Sequence, residues 1–256
     1  MEIIFLGTGT SIGVPIPDCN CLTCSSDSPK NKRFRSSLYL RFNNTGILID
    51  TPPELRQQLL RYNILEVNHI LLTHAHADHI MGFDDIRILN HLQDGPIPVY
   101  GNKETTKAIK RIFPYIFEKM NEGGGIPKIN LTTLKNSVLL DGVKFTVLPV
   151  KHGSQNVLGF RCGKFAYITD CSFIPESTYK LLEGTELLIL GALRHKEHST
   201  HMNIREARRA ATRIGARKVY FTHLAHDLEY YRDNKNLPDH INLAYDGLKL
   251  QVKEVR

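Results

Sequence analysis

A short segment near residue 75 combines four side chains that bind metal ions. Residues 73–79 read THAHADH and directly follow an apolar, strand-like run. Imidazole nitrogens and carboxylate oxygens are ligands of divalent first-row metals. Because a loop that leaves a strand can turn alternate side chains to one centre, His74 and His76 could share one ion. Asp78 and His79 would then face a second ion.

Further candidate ligands follow other strand-like runs. Two ions need more than four ligands, and His152, Asp170 and His223 each stand at or just past the end of such a run. Ligand-binding sites in α/β proteins lie at strand ends, so we expect these loops to form one site together with the first motif. Asp50 also closes a strand-like run, and we expect it to orient a ligand histidine.

Three of the five cysteines lie close together, at Cys19, Cys21 and Cys24. The N-terminus has no pattern of an export signal, so the cluster predicts metal binding more than a disulfide. Three thiolates are one ligand short of a closed tetrahedral zinc site, and the fourth must come from elsewhere. Cys162 and Cys171 are expected to be buried thiols.

The order of these motifs resembles the metallo-β-lactamase superfamily of binuclear hydrolases. The opening FLGTGT at 5–10 and the strand-like LID at 48–50 also match that superfamily. Within it, the chain most resembles the PhnP-type phosphoribosyl cyclic phosphodiesterases, and secondarily ribonuclease Z. The resemblance covers nearly the whole chain.

The resemblance implies two divalent ions, Zn²⁺ or Mn²⁺, in the active site and one structural Zn²⁺. It divides the ligands as follows: His74, His76 and His152 hold one ion, Asp78, His79 and His223 hold the other, and Asp170 bridges both. It counts Asp78 among the catalytic residues as well. It also implies that His226 completes the structural zinc site of the three cysteines, a site that ribonuclease Z is not expected to have.

Hydrolysis at such a site needs a nucleophile and a proton donor. Two close cations lower the pKa of a bridging water and neutralise an anionic ester. The resemblance places a general-acid histidine in the segment 194–201, and we expect it to be His201, with His198 as the alternative. His201 precedes a predicted helix, whose N-terminus would favour a phosphate oxygen.

The elements that must position these groups are strands and helices in alternation. Strands are predicted at 2–6, 38–42, 47–50, 69–73, 98–100, 144–150, 158–162, 165–169, 187–191 and 218–222. Helices are predicted at 53–62, 103–119 and 204–214. Two groups of strands with helices between them predict an α/β protein, an α/β/β/α sandwich of two mixed sheets with outer helices in one domain over 1–256. The pair Asp246-Gly247 predicts a hairpin turn.

Composition limits the classes of partner. The chain has 256 residues, 41% of them hydrophobic and 23% charged, which excludes a disordered, collagen-like or membrane-bundle protein. We predict a cytoplasmic protein without a membrane partner, and a homodimer is left open. The net charge of +7 favours anionic partners. The basic run Lys30, Lys32, Arg33 and Arg35 is expected to be solvated, as are the lysines of 103–119.

Three functions compete. The leading prediction is a binuclear phosphodiesterase for a small cyclic or nucleotide-like phosphodiester. A ribonuclease Z-like tRNA 3′-end endonuclease is favoured by the net charge of +7 and opposed by the cysteine loop and the short segment 101–128, which could instead form a lid over a small substrate. A non-catalytic metal-binding accessory protein, similar to one from pyrroloquinoline quinone synthesis, is opposed by the intact THAHADH motif. Thioester or lactam hydrolysis stays open, because metal ligands do not encode the bond that is cleaved.

Overall fold

The computed structural model describes residues 1–93, 95–118 and 125–253, which form two β-sheets with helices outside them. The strands are β1 (Glu2–Gly7), β2 (Ser37–Phe42), β3 (Thr45–Ile49), β4 (His69–Leu71), β5 (Ile97–Gly101), β6 (Ile129–Thr133), β7 (Ser137–Leu140), β8 (Val143–His152), β9 (Gln155–Cys162), β10 (Phe165–Ile168), β11 (Leu187–Gly191), β12 (Lys218–Thr222), β13 (Ile241–Leu243) and β14 (Lys249–Gln251). The helices are α1 (Leu55–Arg61), α2 (Ala77–Ile80), α3 (Ile86–Gln93), α4 (Lys103–Ile112), α5 (Glu176–Leu182), α6 (Ile204–Ile214) and α7 (Tyr230–Lys235). Short 3₁₀ helices lie at Pro29–Asn31, Phe83–Asp85 and Pro114–Ile116.

Each sheet contains seven strands and is mixed. The first has the order β14-β1-β2-β3-β4-β5-β6, and the second has the order β13-β12-β11-β10-β9-β8-β7. Strands β3 to β6 are parallel in the first sheet, and β10 to β13 are parallel in the second. The remaining pairs are antiparallel.

Three apolar layers hold the sandwich together. Phe5 of the first sheet and Phe145 of the second belong to the cluster between the sheets. Leu55 and Ile109 place α1 and α4 on the outer face of the first sheet, while Ala207 places α6 on the outer face of the second. The predicted α/β/β/α sandwich is confirmed, and the single domain over 1–256 stays a prediction. Among the described residues, none of the helices is both long and apolar enough to cross a membrane.

The strand ends that carry the candidate ligands lie on one edge of the sandwich. Strands β3 and β4 are parallel, so Asp50 and the THAHADH motif leave the first sheet at the same edge. Strands β10 and β12 both run parallel to β11, so Asp170 and His223 leave the second sheet together. Parallel strands buried on both faces read as continuous apolar runs, which is why the sequence identified β4 and β11.

Four strands were not predicted, and one turn was predicted wrongly. Strand β6 is largely exposed and rich in Thr and Asn, β7 has four residues, two of them exposed, and β13 and β14 have three residues each. Asp246-Gly247 does not form a hairpin, because β13 and β14 belong to different sheets. The Asp246 side chain is buried, accepting hydrogen bonds from the Thr8 hydroxyl and the Phe34 N–H, both at 2.7 Å.

The helix predicted over 103–119 is shorter in the structure. It ends at Ile112, and Pro114 begins a separate 3₁₀ helix because proline lacks the N–H that a continuing helix needs. Residues 119–124 lie outside the described residues, and with them part of the predicted lid segment 101–128.

Candidate metal centre

The loops at the shared edge bring seven predicted ligands into two adjacent groups. In each group the potential ligand atoms lie within 4.8 Å of one another. The first group contains His74, His76, His152 and Asp170, and the second contains Asp78, His79, Asp170 and His223. This division matches the one that the resemblance implies, while the binding of ions by these side chains stays a prediction.

Asp170 faces both groups with different oxygen atoms. Its Oδ2 lies 3.8 Å from Nε2 of His74. Its Oδ1 lies 3.3 Å from Nε2 of His79 and 3.2 Å from Nδ1 of His223. A carboxylate in this position can offer one oxygen to each of two ions, as a bridging ligand must.

Asp50 fixes the orientation of His79. The Nδ1–H of His79 donates to Oδ2 of Asp50 at 2.7 Å, and both side chains are fully buried. The backbone N–H and the hydroxyl of Thr73 donate to the same carboxylate, each at 2.8 Å. Because Nδ1 of His79 is engaged, its Nε2 is left to face the centre.

Similar contacts orient two more histidines. Nδ1 of His74 lies 3.0 Å from the hydroxyl oxygen of Thr73, and Nδ1 of His152 lies 2.7 Å from the carbonyl oxygen of Thr200. The Nε2 atoms of His74 and His79 are buried and form no hydrogen bond with any described residue. Buried polar atoms without a partner cost free energy, and a metal ion would supply that partner.

The charges of the site favour cations. The side-chain partners of the buried carboxylates Asp50, Asp78 and Asp170 are histidines and threonines among the described residues. Burial would raise the pKa of Asp170, but His223 and His79 hold it well below its usual range. Burial would lower the pKa of His79, but the three carboxylates raise it well above its ordinary value. A buried excess of negative charge is costly, so divalent ions fit this donor set.

Three site residues adopt a left-handed backbone conformation. Their φ angles are +64° at Asp50, +42° at Asp170 and +58° at His223. Non-glycine residues rarely take this conformation, and such strain concentrates at functional sites. The surrounding hydrogen bonds maintain this conformation, and the three side chains are thereby directed toward the two ligand groups.

His201 lies between the two groups. Its ring centroid is 4.5 Å from that of His152 and 4.9 Å from that of His223, and its Nδ1 is 4.0 Å from Oδ2 of Asp170. His198 has a ring contact with His201, at 5.1 Å. Burial lowers the pKa of His201 to about 3, which favours its neutral imidazole near pH 7. The structure thus places His201 rather than His198 against the candidate ligands.

The expectation of a phosphate oxygen at the N-terminus of α6 stays a prediction, and the contacts at that terminus do not favour it. Asn203 and Glu206 form a capping box there, in which the Asn203 side chain accepts from the N–H of Glu206. The N–H of Ile204 donates to the carbonyl of Arg194 at 3.0 Å. These groups are already bonded, and the Glu206 carboxylate would repel an anion.

The three cysteines converge on His226. Nδ1 of His226 lies 3.2 Å from Sγ of Cys19, 3.4 Å from Sγ of Cys21 and 3.7 Å from Sγ of Cys24. Tetrahedral zinc with ordinary Zn–S and Zn–N bonds sets this separation at about 3.6 Å. Burial raises the pKa of Cys21, but hydrogen bonds from the Cys24 N–H and His226 outweigh burial and lower this pKa to about 6. The lowered pKa favours the thiolate, which is the form that binds metal.

Comparison with known proteins identifies the family. A model of the β-lactamase superfamily domain matches residues 45–224. The crystal structure of a diphosphatase from the PhnP family is 39% identical in sequence, matches this chain over 98% of both chains and superposes with a TM-score of 0.92. The chain belongs to the metallo-β-lactamase superfamily. The predicted resemblance to its PhnP family is confirmed by the same structure.

Two curated relatives are longer proteins. The octanoyltransferase of Porphyromonas gingivalis is 34% identical over 260 residues, which span 99% of this chain and 52% of that protein. Ribonuclease Z of Methanococcus maripaludis is 24% identical over 156 residues, which span 59% of this chain and 45% of that protein. The chain therefore spans about half the length of the curated relatives it matches.

Sequence reasoning missed residues that hold the superfamily site in place. Thr73 begins the motif and could have been found from that position. The hydroxyl oxygen of Ser36 lies 3.3 Å from Nδ1 of His223, and the carbonyl of Thr200 accepts from His152. Neither has a sequence signal. Arg33 was expected to be solvated but is buried, with 2% of its surface exposed.

Proposed function

We propose that this superfamily member is a binuclear metal-dependent hydrolase that cleaves a phosphorus–oxygen bond in a small phosphodiester. The observation that carries the proposal is the position of Asp170, whose two oxygens face two groups of buried ligands. When bound, a pair of divalent ions supplies hydroxide near neutral pH and neutralises an anionic phosphoryl group.

Residues around the two ligand groups hold the ligand histidines in position. The Asp50 carboxylate and the Thr73 hydroxyl fix His79 and His74, and the Thr200 carbonyl fixes His152. Ligands held before substrate arrives need no rearrangement during the reaction, which is how a site stabilises a transition state. The α/β/β/α scaffold thus supplies a rigid set of donors.

His201 is proposed to protonate the leaving oxygen. Hydrolysis adds the oxygen of water to phosphorus and breaks the bond to the leaving group, which departs as an alkoxide unless it gains a proton. Burial lowers the pKa of His201 to about 3. The negative charge of a bound phosphodiester would raise that pKa and so favour the acid role.

A diphosphate bond is the second candidate substrate. It is favoured by the 39% identical structure, which is that of a diphosphatase from the PhnP family. In a diphosphate that joins two groups, each phosphorus carries one negative charge and two bridging oxygens, as in a phosphodiester. The same ligand set can therefore accept both, and the leaving group distinguishes them.

The experiment is a substrate panel on metal-free protein to which Mn²⁺ or Zn²⁺ is added back. The panel contains a cyclic phosphodiester, an aryl phosphodiester, a dinucleoside diphosphate, an octanoyl thioester and a lactam. Metal-dependent turnover of the phosphodiesters at the highest kcat/KM supports the proposal, and faster turnover of the diphosphate selects the second candidate. Turnover of the thioester or lactam alone would overturn both.

Two variants show whether the activity belongs to this site. Asp170→Asn should abolish turnover, because it removes the charge shared by both ligand groups. His195→Gln is the matched control: His195 lies in the same segment as His201 but contacts Asp233 at 3.0 Å instead of the ligands. Equal activity in the two variants would place the reaction elsewhere.

A further inference from the structure

One short loop connects the two candidate metal sites. Strand β12 ends at Thr222, His223 belongs to the binuclear groups and His226 belongs to the cysteine group. Only two residues, Leu224 and Ala225, therefore separate a ligand of one site from a ligand of the other. A change in the conformation of residues 222–228 would displace both histidines.

The guanidinium of Arg33 holds the second half of this loop. Its Nη1 donates to the carbonyl of Ala225 at 2.8 Å and its Nη2 to the carbonyl of Leu228 at 2.6 Å. These carbonyls lie on either side of His226. Arg33 forms no ion pair of 4 Å or less with a carboxylate among the described residues, so its main partners are loop carbonyls.

The backbone of Arg33 ties the loop to the cysteine segment. Its N–H donates to the carbonyl of Val14 at 2.7 Å, and its carbonyl accepts from the N–H of Val14 at 2.9 Å. Val14 precedes the cysteine cluster, and Arg33 follows it. One residue thus fixes the base of the cysteine loop with its backbone and the histidine loop with its side chain.

Other contacts hold the first half of the loop. Leu224 exchanges backbone hydrogen bonds with Thr8 and Thr10, at 2.8 and 3.3 Å. The hydroxyl of Ser36 contacts His223. Beyond Ala225, the carbonyl contacts of Arg33 fix the chain, and without them two carbonyls would lose charged donors in a buried region.

We propose that Arg33 is a positioning residue that couples the two metal sites. With Arg33 in place, a metal ion held by the cysteines and His226 fixes the loop and thereby raises the affinity of the binuclear groups for their ions. The inference rests on the proposed metal sites, but it concerns metal binding and not the substrate. Coupling of this kind is reciprocal, so filling the binuclear groups should also tighten the cysteine site.

The test measures Mn²⁺ binding by electron paramagnetic resonance in the absence of substrate. Mn²⁺ prefers nitrogen and oxygen ligands to thiolates, so it reports on the binuclear groups. The protein is compared with its cysteine site filled by Zn²⁺ and with that site disrupted by Cys21→Ser. In the wild-type background, Cys21→Ser should weaken Mn²⁺ binding on the order of tenfold, as for other residues that orient metal ligands.

Arg33→Met should remove the coupling. It keeps most of the side-chain length and removes the donors, so Mn²⁺ binding should be about as weak as in Cys21→Ser. Adding Cys21→Ser to Arg33→Met should cause no further loss, which a double-mutant cycle measures directly. Arg41→Met is the matched control, because Arg41 is exposed on β2, and it should bind Mn²⁺ as the wild type does.

Two results would overturn the inference: wild-type Mn²⁺ affinity in Arg33→Met, or an equal effect of Cys21→Ser in both backgrounds. If Arg33→Met does not fold, Arg33→Lys takes its place, since it keeps the charge and fewer donors and should give a partial loss. A wild-type protein that binds Mn²⁺ with coupling but hydrolyses no phosphodiester would reject the proposed function and leave this inference standing. Failure of the wild type to bind Mn²⁺ would overturn this inference, and the Zn²⁺ arm of the substrate panel would still decide the proposed function.

Discussion

His201 differs from the candidate ligands in what its loss should do. It contacts His152, His223 and Asp170 but belongs to neither ligand group. If it donates the proton to the leaving oxygen, His201→Ala should retain metal and lose about 10²–10⁴-fold in kcat on a diester with an alkoxide leaving group. The loss should be small for p-nitrophenolate, which leaves without a proton. Kinetics on the two substrates, with metal analysis of the same samples, check this.

Two other histidines serve as controls for that measurement. His198→Ala should show neither effect, because His198 meets His201 but none of the candidate ligands through its ring. His76→Ala should lose metal and slow both substrates together. Loss of metal in His201→Ala, or equal losses on the two substrates, would mean that His201 is not the acid.

Asp50 should act on the metal through His79. Asp50→Asn removes the charge that holds Nδ1 of His79, so metal affinity should fall about 10–100-fold. Once metal is added back at high concentration, the hydrolysis rates of alkyl and aryl diesters should recover together. Asp141→Asn is the control, because Asp141 also contacts a histidine and a threonine, His69 and Thr45, but at the protein surface. Equal metal affinity in the two variants would contradict the orienting role.

Residue types and spacing identified the ligands but not their supports. The THAHADH motif and the Cys19, Cys21 and Cys24 cluster have no plausible apolar role, so chemistry alone singled them out. The carbonyl of Thr200 cannot be read from sequence, because every residue has one. Arg33 looked like part of a solvated basic run, and only the fold shows that the loop after β12 encloses it.

The cysteine loop should behave as a structural element. Cys21→Ser removes one thiolate from the group around His226, so the protein should contain one fewer tightly bound zinc ion. Metal binding to such sites contributes on the order of 10 kcal/mol to folding, and the loss of one ligand should remove several kcal/mol of it. Zinc content and the melting temperature check this together. Wild-type values for both would show that the cysteine site does not exist.

The segment between β13 and β14 contains a pH-dependent contact. Burial raises the pKa of Asp246 to about 7, although the N–H of Phe34 and the hydroxyl of Thr8 oppose the shift. The folded state therefore keeps a proton that the unfolded chain releases near its ordinary pKa of 3.8. The free energy of unfolding should fall by up to about 4 kcal/mol between pH 4 and pH 7 because of this group, and no further above it.

Denaturant unfolding of Asp246→Asn at several pH values isolates that contribution. The asparagine does not titrate, so the difference between wild type and variant should change across pH 4 to 7 and stay constant above. Asp239→Asn, an exposed change in the same region, is the control for an Asp-to-Asn substitution outside the buried contact. A constant difference for Asp246→Asn would show that its carboxyl titrates normally.

Strands whose side chains are strongly buried could be predicted from the sequence, and strands with weakly buried side chains could not. Strands β4 and β11 are buried on both faces and read as apolar runs, whereas β6 alternates weakly because it lies at a sheet edge. The 246–247 turn has a hairpin sequence but crosses from one sheet to the other. An Asp-Gly pair is compatible both with a hairpin and with a connection between the sheets. The buried hydrogen bonds of Asp246 with Thr8 and Phe34 favour the connection between the sheets.

At the scale of the whole molecule, the edge of the sandwich that carries the candidate ligands is built from loops of both sheets. The first sheet supplies the loops after β3 and β4, and the second supplies those after β8, β10 and β12. Such a site cannot form in a fragment that contains one sheet. The metallo-β-lactamase scaffold thus fixes where the candidate metal centre lies, and the surface around that edge decides how large a substrate could reach it.

The last prediction separates a small diester from precursor tRNA. Long nucleic acids bind through many phosphate contacts, so their binding weakens by about 10³–10⁵-fold between 50 and 200 mM salt when six to ten phosphates are contacted. The site proposed here engages one phosphoryl group between two ions. Hydrolysis of a small diester should therefore lose less than about tenfold over the same salt range, by the same relation for one contact.

The segment that would have to bind tRNA supports this expectation. Within 101–128, the described residues form α4, a 3₁₀ helix and the approach to β6, and α4 packs on the first sheet through Ile109. Precursor tRNA should be trimmed more slowly than an aryl diester is hydrolysed, measured as kcat/KM at 150 mM salt. Trimming at the tRNA 3′ end that is faster than diester hydrolysis, with a steep salt dependence, would assign this chain to the ribonuclease Z function instead.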